Sequence, residues 1–261
     1  MRYQIAILGT GNVAWHFART LENAGHVITH VYDRKIEKAE KFALDYFNAS
    51  VGDSLDLSEV NATLFILAVR DDAIEEVAQT LTIPSKALLV HTSGTIPLNA
   101  LGYAQTQNIG VLYPIQTLSR GQQTDFSKVP ICIEGESEET VQTLKTVAKS
   151  ISQEVHILTS QQRKVIHLAA VFACNFTNHM FSISKDILES NHMNFELLQP
   201  LIIETLNKSF DIGPENAQTG PAKRGDMETL DQQFSALSND PEVADIYKLI
   251  SQNIIDTHQP E

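Results

Sequence analysis

Apolar runs of strand length alternate with stretches of helical spacing through the first 158 residues, and then the strand pattern stops. Tyr3 to Leu8, Val27 to Tyr32, Leu64 to Val69, Ala87 to His91 and Gly110 to Tyr113 read as strands, with a shorter one at Ala49 to Val51. Between them, Asn12 to Ala24, Ile36 to Tyr46 and Ala73 to Leu81 repeat apolar residues at helical spacing. Pro84 and Pro97 fall in the connections, where a residue without an N–H interrupts nothing. Ile131-Cys132-Ile133, a helix from about Glu138 to Ile151 and a strand at Val155 to Leu158 continue the alternation. Ser137 suits the N-cap of that helix, with Glu138 and Glu139 in its first turn. This order predicts an α/β fold: a doubly wound, mostly parallel sheet of seven or eight strands, covered by helices.

Beyond Thr159 four helices account for the chain: Gln161 to Ser190, Phe195 to Phe210, Met227 to Leu237 and Pro241 to Ile255. Asp240 before Pro241 is a strong helix start, and Pro200 kinks the second helix or moves its beginning. Residues 1–158 therefore form one expected domain and 159–261 an all-helical second one, with a frayed tail at Thr257 to Glu261. A continuous helix over Gln161 to Ser190 would extend about 45 Å, more than a small domain can cover. Its apolar residues Val165, Leu168, Ala169, Val171, Phe172, Phe176 and Met180 occupy more than one stripe. One set can face the home domain and the other a second subunit, so a homodimer through the C-terminal helices is expected.

Composition narrows the function classes. A net charge of −13 opposes the counterion release that drives binding to nucleic acid, which is set aside as a partner. Two cysteines, Cys132 and Cys174, give no disulfide framework and no zinc-type spacing; both read as buried thiols, and no metal is expected. The N-terminus lacks the order of a secretory signal, and the most apolar helical stretch, Val165 to Phe176, is too short to cross a bilayer. The expectation is a cytoplasmic protein without membrane attachment.

The first strand runs directly into Gly9-Thr10-Gly11-Asn12-Val13-Ala14, a G-x-G-x-x-A sequence between a strand and a helix. Gly9 permits the tight turn, Gly11 lets backbone N–H groups approach a pyrophosphate, and Ala14 allows close packing of helix on sheet. The phosphates would sit at the positive helix end. This is the fingerprint of a Rossmann-type dinucleotide-binding domain, with Gly9, Thr10, Gly11, Asn12 and Val13 as cofactor residues. Asp33 follows Gly11 by 22 residues, near the spacing at which an acid bonds an NAD ribose. Arg34 and Lys35 come next, two cations suited to the 2′-phosphate of NADP, and they tilt the reading to NADP with NAD as the alternative.

Two further strands end at the carboxyl edge where open α/β folds bind ligands. Ala68 and Val69 could flank the nicotinamide side of a cofactor; Asp71 or Asp72 beyond them also suits the N-cap of the next helix. His91-Thr92-Ser93-Gly94 brings an imidazole and two hydroxyls, so Thr92 and Ser93 join the cofactor set and His91 becomes a second candidate acid/base. In the helical part His167, Val171 and Asn175 share a face at i, i+4, i+8. His167 is the first choice for moving a proton, and Asn175 for orienting a substrate. The loop Thr219-Gly220-Pro221-Ala222-Lys223-Arg224-Gly225-Asp226 supplies Thr219, Arg224 and Asp226 as substrate residues, Arg224 suiting a carboxylate or phosphate. Asp226 also suits an N-cap.

In this order, and together with Tyr113-Pro114-Ile115-Gln116-Thr117, these motifs resemble a family of NAD(P)-dependent oxidoreductases that join a Rossmann-like domain to a helical C-terminal domain of unknown function. That family is similar in plan to the pyrroline-carboxylate reductases and to the 6-phosphogluconate and hydroxyisobutyrate dehydrogenases. The resemblance covers nearly the whole chain. It implies a nicotinamide cofactor, a small-molecule substrate held between the domains, and a dimer. Two departures stop a dehydrogenase mechanism from being carried over: Lys164 and Asn175 lie too far apart for the lysine–asparagine motif, and Arg70 stands where a proline or small residue is common. Hydride transfer between nicotinamide and a small carbonyl, imine or related substrate is the leading expectation. The alternative is an NAD(P)-binding sensor without turnover, because fold alone does not determine activity.

Overall fold

A computed structural model describes residues 2–122 and 124–258. The end of the expected frayed tail, residues 259–261, lies outside them, while Thr257 and His258 continue the last helix. The chain divides into two compact units, Met1–Asn175 and Phe176–Glu261. The strands end near Ile157, as the pattern break at residue 158 anticipates, but the helix that follows them clusters with the sheet.

The first unit holds one eight-stranded sheet: β1 (Gln4–Leu8), β2 (Val27–Tyr32), β3 (Ser50–Gly52), β4 (Leu64–Leu67), β5 (Leu88–His91), β6 (Ile109–Pro114), β7 (Ile131–Gly135) and β8 (Val155–Ile157). Their order is β3-β2-β1-β4-β5-β6-β7-β8, a doubly wound Rossmann-type arrangement with its switch point between β1 and β4. All pairs are parallel except β6 with β7, where Leu112 faces Ile133 and Tyr113 faces Cys132. Helices α1 (Asn12–Asn23), α2 (Ile36–Ala43), α3 (Ile74–Thr80) and α4 (Glu138–Lys149) make the crossovers.

Alternation along β1 separates two cores. Ile5 and Ile7 join Phe17 and Leu21 of α1 on one face, while Ala6 and Leu8 join Phe65, Leu67 and Ile74 on the other. Both faces are dry, which is why β1, β4 and β5 read as continuous apolar runs. Ser137 caps α4 as its position predicts, accepting a hydrogen bond from the Thr140 N–H at 3.1 Å.

After β8 comes α5 (Ser160–Ala170), capped by Thr159 and Gln162 in a reciprocal capping box. The expected single helix from Gln161 to Ser190 is interrupted: Val171–Phe176 is a π turn, and α6 (Thr177–Ser190) follows it. The wider turn shifts the register of everything beyond it.

In the second unit α6 is followed by α7 (Gln199–Ile212), α8 (Pro214–Ala217), α9 (Pro221–Arg224), α10 (Met227–Ala236) and α11 (Pro241–His258). Pro200 stands in the first turn of α7 and so sets its start rather than kinking it. Asp226 caps α10, and the Asp240 carboxylate accepts from the Val243 N–H at 3.2 Å at the head of α11. The short helices α8 and α9 were not anticipated. Cys132 is buried, but Cys174 in the π turn is exposed, contrary to its reading as a core thiol. Among the described residues, no helix is long and apolar enough to cross a membrane.

Candidate functional site

A cavity of about 450 Å³ opens at the carboxyl ends of β1, β2 and β4. Gly9, Thr10, Gly11, Asn12, Val13, Asp33, Arg34, Ala68, Val69 and Thr92, all assigned to a cofactor from the sequence, line it together. Lys35 and Ser93 are not in the lining. Lys38, which the sequence reading did not select, is. Helical periodicity explains the exchange: Arg34 stands just ahead of α2, and Lys38, four residues on, comes back to its side.

The two fingerprint glycines have different jobs. Gly9 has φ +101°, and a β-carbon there would sit 2.5 Å from the Ala68 carbonyl oxygen, so β1 and β4 can meet only around a glycine. At Gly11 a β-carbon would meet nothing within 4 Å. Gly11 therefore matters for the space it leaves open in front of the N-terminus of α1, where N–H groups point outward without side-chain caps. An anionic dinucleotide fits this cradle: open backbone at the helix end and cations at Arg34 and Lys38.

Asp33 is already engaged. Its carboxylate accepts from Thr10 Oγ1 at 2.7 Å and from the Lys35 N–H at 3.1 Å, tying the fingerprint loop to the end of β2. Asn12 turns away to donate to the Leu118 carbonyl at 3.0 Å. Asp71 is not a helix cap: the segment Asp71–Ala73 is a 3₁₀ turn, and the Asp71 carboxylate accepts from Thr95 Oγ1 at 2.5 Å, bridging the loops after β4 and β5. Asp72 pairs with Arg70 on the surface at 2.8 Å.

The loop after β5 is the most elaborate part of the site. Ser93 Oγ accepts from the Thr95 and Ile96 N–H groups at 3.1 and 3.0 Å. His91 is wholly buried, and its Nδ1 accepts from the Ser93 N–H at 3.2 Å. Burial, reinforced by the nearby Arg163 charge, pushes its pKa down to about 3. A histidine that stays neutral and sealed in the core cannot exchange protons with a substrate near neutrality, so the expected acid/base role of His91 gives way to that of a brace for Ser93.

His167 is half-buried and sits across this loop. Its Nδ1 lies 3.1 Å from Tyr113 Oη at the end of β6. A β-carbon on Gly94 would come within 2.6 Å of that nitrogen and 2.8 Å of Tyr113 Cζ, so the glycine is what lets the pair close over the loop. Burial raises the pKa of Tyr113, keeping the phenol protonated. Asn175, expected on the same helix face, is exposed within the π turn.

Sequence reasoning missed Arg163, the largest fully buried side chain among the described residues at 1% exposure. Its guanidinium pairs with Glu134 at 3.0 Å and donates to the Ser93 and Ile96 carbonyls. The one legible signal was a cation four residues before His167, on the same helix face. In the second unit Thr219 is exposed, Arg224 lies 3.9 Å from Asp226, and the Asp226 carboxylate accepts from Thr229 N–H and Oγ1. That capping holds the Asp226 pKa below the usual carboxylate range.

Comparison with known proteins agrees with this geometry. The family described as NADP oxidoreductase, coenzyme F420-dependent, matches residues 4–93, and a domain of unknown function, DUF2520, matches residues 129–254. A Bacteroides fragilis protein assigned as an NADP oxidoreductase is 37% identical, with 98% of each chain covered and a TM-score of 0.88. The reductive aminase of Aspergillus terreus, solved with NADPH and ethyl levulinate, shares the fold at 14% identity, with 98% of this chain and 94% of that one covered and a TM-score of 0.74. So does 1-pyrroline-5-carboxylate reductase from Streptococcus pyogenes, at 13% identity, 98% and 99% coverage and a TM-score of 0.63. No curated protein matches the sequence significantly. At 37% identity over 98% of its length with the Bacteroides fragilis protein, and with the two family matches in its two halves, the chain belongs to the NADP oxidoreductase family and is an NADP-dependent oxidoreductase.

Proposed function

We propose that the chain transfers hydride between NADP(H) and a small carbonyl, imine or related substrate, with His167 as the proton-exchanging side chain. The observation that carries this reading is the open cradle at Gly11, bounded by the N-terminus of α1 on one side and by Arg34 and Lys38 on the other. When bound, the dinucleotide supplies the hydride through its nicotinamide ring. The protein's own groups do the rest. Arg34 and Lys38 attract a 2′-phosphate, while Thr10 and the Lys35 N–H hold Asp33 in a structural role. Tyr113 occupies Nδ1 of His167, leaving Nε2 to give a proton to the substrate heteroatom as the adjacent carbon gains hydride. In the reverse direction the same nitrogen takes that proton back. Asn175 is assigned to orienting the substrate, Arg224 to a carboxylate or phosphate on it by a bidentate contact, and Thr219 and Asp226 to the substrate loop around that arginine. No observation favours binding without turnover.

We further propose that the active form is a homodimer through the second unit. Its exposed apolar side chains include Leu197, Leu201, Phe210 and Leu249, far more than a helical unit normally leaves in water.

The test is a titration of Gly11→Val with NADPH. Because a β-carbon there meets no protein atom within 4 Å, the fold and melting temperature should hold while binding is lost. Undiminished affinity would sink the cofactor site, and steady NADPH oxidation by a His167→Gln variant across a panel of carbonyls and imines would remove His167 from the mechanism.

A further inference from the structure

One face of α5 lies on the loop that follows β5. Arg163 and His167, four residues apart, share that face. His167 closes over Gly94, and Arg163 takes hold on both sides of the same glycine. One guanidinium nitrogen donates to the Ser93 carbonyl at 3.1 Å and to the Ile96 carbonyl at 2.7 Å. The other donates to Glu134 at 3.0 Å and to Ser160 Oγ at 3.1 Å.

A guanidinium buried this completely is costly unless charge and donors are both matched. Glu134 matches the charge, and Arg163 is one tie among several between α5 and the sheet: Ser160 also bonds Glu134 through its N–H and hydroxyl, and Thr159 caps the helix. The two bonds to carbonyls act elsewhere. They fix the shape of a segment that has no strand or helix of its own, and whose first residue, Thr92, lines the cofactor cavity.

In a sheet of this order the switch point divides a bound dinucleotide. The fingerprint and the end of β2 face its adenosine and phosphate half; the loops after β4 and β5 face the other half. We propose that Arg163 is a positioning residue for the nicotinamide half of NADPH, holding the Thr92–Ile96 loop through the Ser93 and Ile96 carbonyls in the shape that receives it. This rests on the NADP reading given above. It calls for arginine specifically, since a lysine would keep the ion pair with Glu134 yet lack the planar fork that spans both carbonyls and the carboxylate.

The experiment compares two ligands on the full chain: NADPH, followed by its own fluorescence, and 2′-phospho-ADP-ribose, the same molecule without nicotinamide, followed by calorimetry. The proteins are the wild type, Arg163→Lys, and Arg163→Met combined with Glu134→Gln, which leaves no lone buried charge. Both variants should lose about tenfold in NADPH affinity, as expected when a charged donor leaves its carbonyls, and less than about twofold in affinity for the fragment. A merely structural Arg163 would lower the melting temperature and weaken both ligands together, and that outcome overturns the proposal. Unchanged NADPH binding in Arg163→Lys overturns it as well, whether or not the double variant folds. If the wild type binds the fragment as tightly as NADPH, the loop contributes nothing to the nicotinamide half and this proposal fails alone. If the wild type binds neither, the cofactor reading fails with it.

Discussion

The two compact units bury their apolar residues in opposite ways. In the sheet unit Ile5, Phe17, Phe65 and Leu89 are fully shielded, and two cores cover both faces of β1. In the helical unit the buried apolar residues among those described are Ala222, Leu230 and Ala244, while Leu201 is 62% exposed and Phe210 86%. Burial of apolar surface is the main favourable term in folding, so the first unit draws most of its stability from its own two cores, and the proposed dimer would supply what the second unit lacks. The contrast is what supports a second copy of the chain as that partner.

The largest effect should come from attacking the exposed face. Leu201→Glu combined with Phe210→Glu should convert a species of twice the chain mass into a monomer by light scattering, with much of the second unit's helix lost to circular dichroism. Wild-type melting should depend on protein concentration. A monomeric wild type would break the comparison and require that face to be covered some other way.

Truncating the first unit should look different. Phe65→Ala removes a side chain sealed between β4 and its neighbours and should cost about 3–5 kcal/mol by denaturant unfolding. That loss should not vary with protein concentration. A concentration-dependent loss would mean that the sheet unit, too, leans on a partner.

Acid should sharpen the difference further. His26, His30 and His91 all lie in the first unit, and burial lowers the pKa of each, that of His91 to about 3. The unfolded chain binds their protons first as pH falls below about 6.5, so their contribution is complete above that value and is lost as pH falls through each depressed folded-state value, for His91 toward about 3. Each fully buried histidine contributes a slope of up to about 1.4 kcal/mol per pH unit in that window. His91→Asn should flatten the acid limb of the stability profile of the first unit; an unchanged limb would show that the imidazole is accessible to protons in the folded state.

The smallest effect concerns preference rather than stability. Arg34→Ala and Lys38→Ala should each reduce the preference for NADPH over NADH by about tenfold, in line with loss of one charge-assisted contact, and leave melting unchanged. Lys35→Ala should do neither. Equal binding of the two cofactors by the wild type would return Asp33 to a ribose and make the Arg34 side of the cavity incidental.

What could be read from the sequence was what repeats or what obeys local rules. Strand and helix periodicity located all eight strands, and cap chemistry at Ser137, Asp226 and Asp240 marked helix starts that the structure keeps. Most of the cofactor cradle was legible because the glycine spacing encodes it. The misses arise where distance in sequence hides proximity or phase. Lys35 and Lys38 are chemically equivalent, and only the turn of α2 decides which reaches the cavity. The π turn at Val171–Phe176 has no compositional mark, so the face shared by His167 and Asn175 could not be checked from spacing. Arg163 escaped selection because its counter-ion, Glu134, lies 29 residues earlier on another strand.

One reversal in the sheet settles how His167 is brought to the loop after β5. Because β7 runs against β6 and β8 follows β7, the chain leaves the sheet at the edge away from the cavity, and α5 must travel back along the sheet toward it. Eleven residues of α5 advance about 16 Å, roughly the length of the strands it passes. Its first turn meets Glu134 at departure, Arg163 takes the loop after β5 on the way, and His167 arrives over Gly94 and Tyr113. Had β7 continued the parallel run, the chain would have emerged beside the cavity and the helix would have carried its histidine away from it. The antiparallel strand is thus the U-turn that makes α5 an inbound helix, and the order in which it passes Glu134, Ser93 and Tyr113 is fixed by that direction of travel.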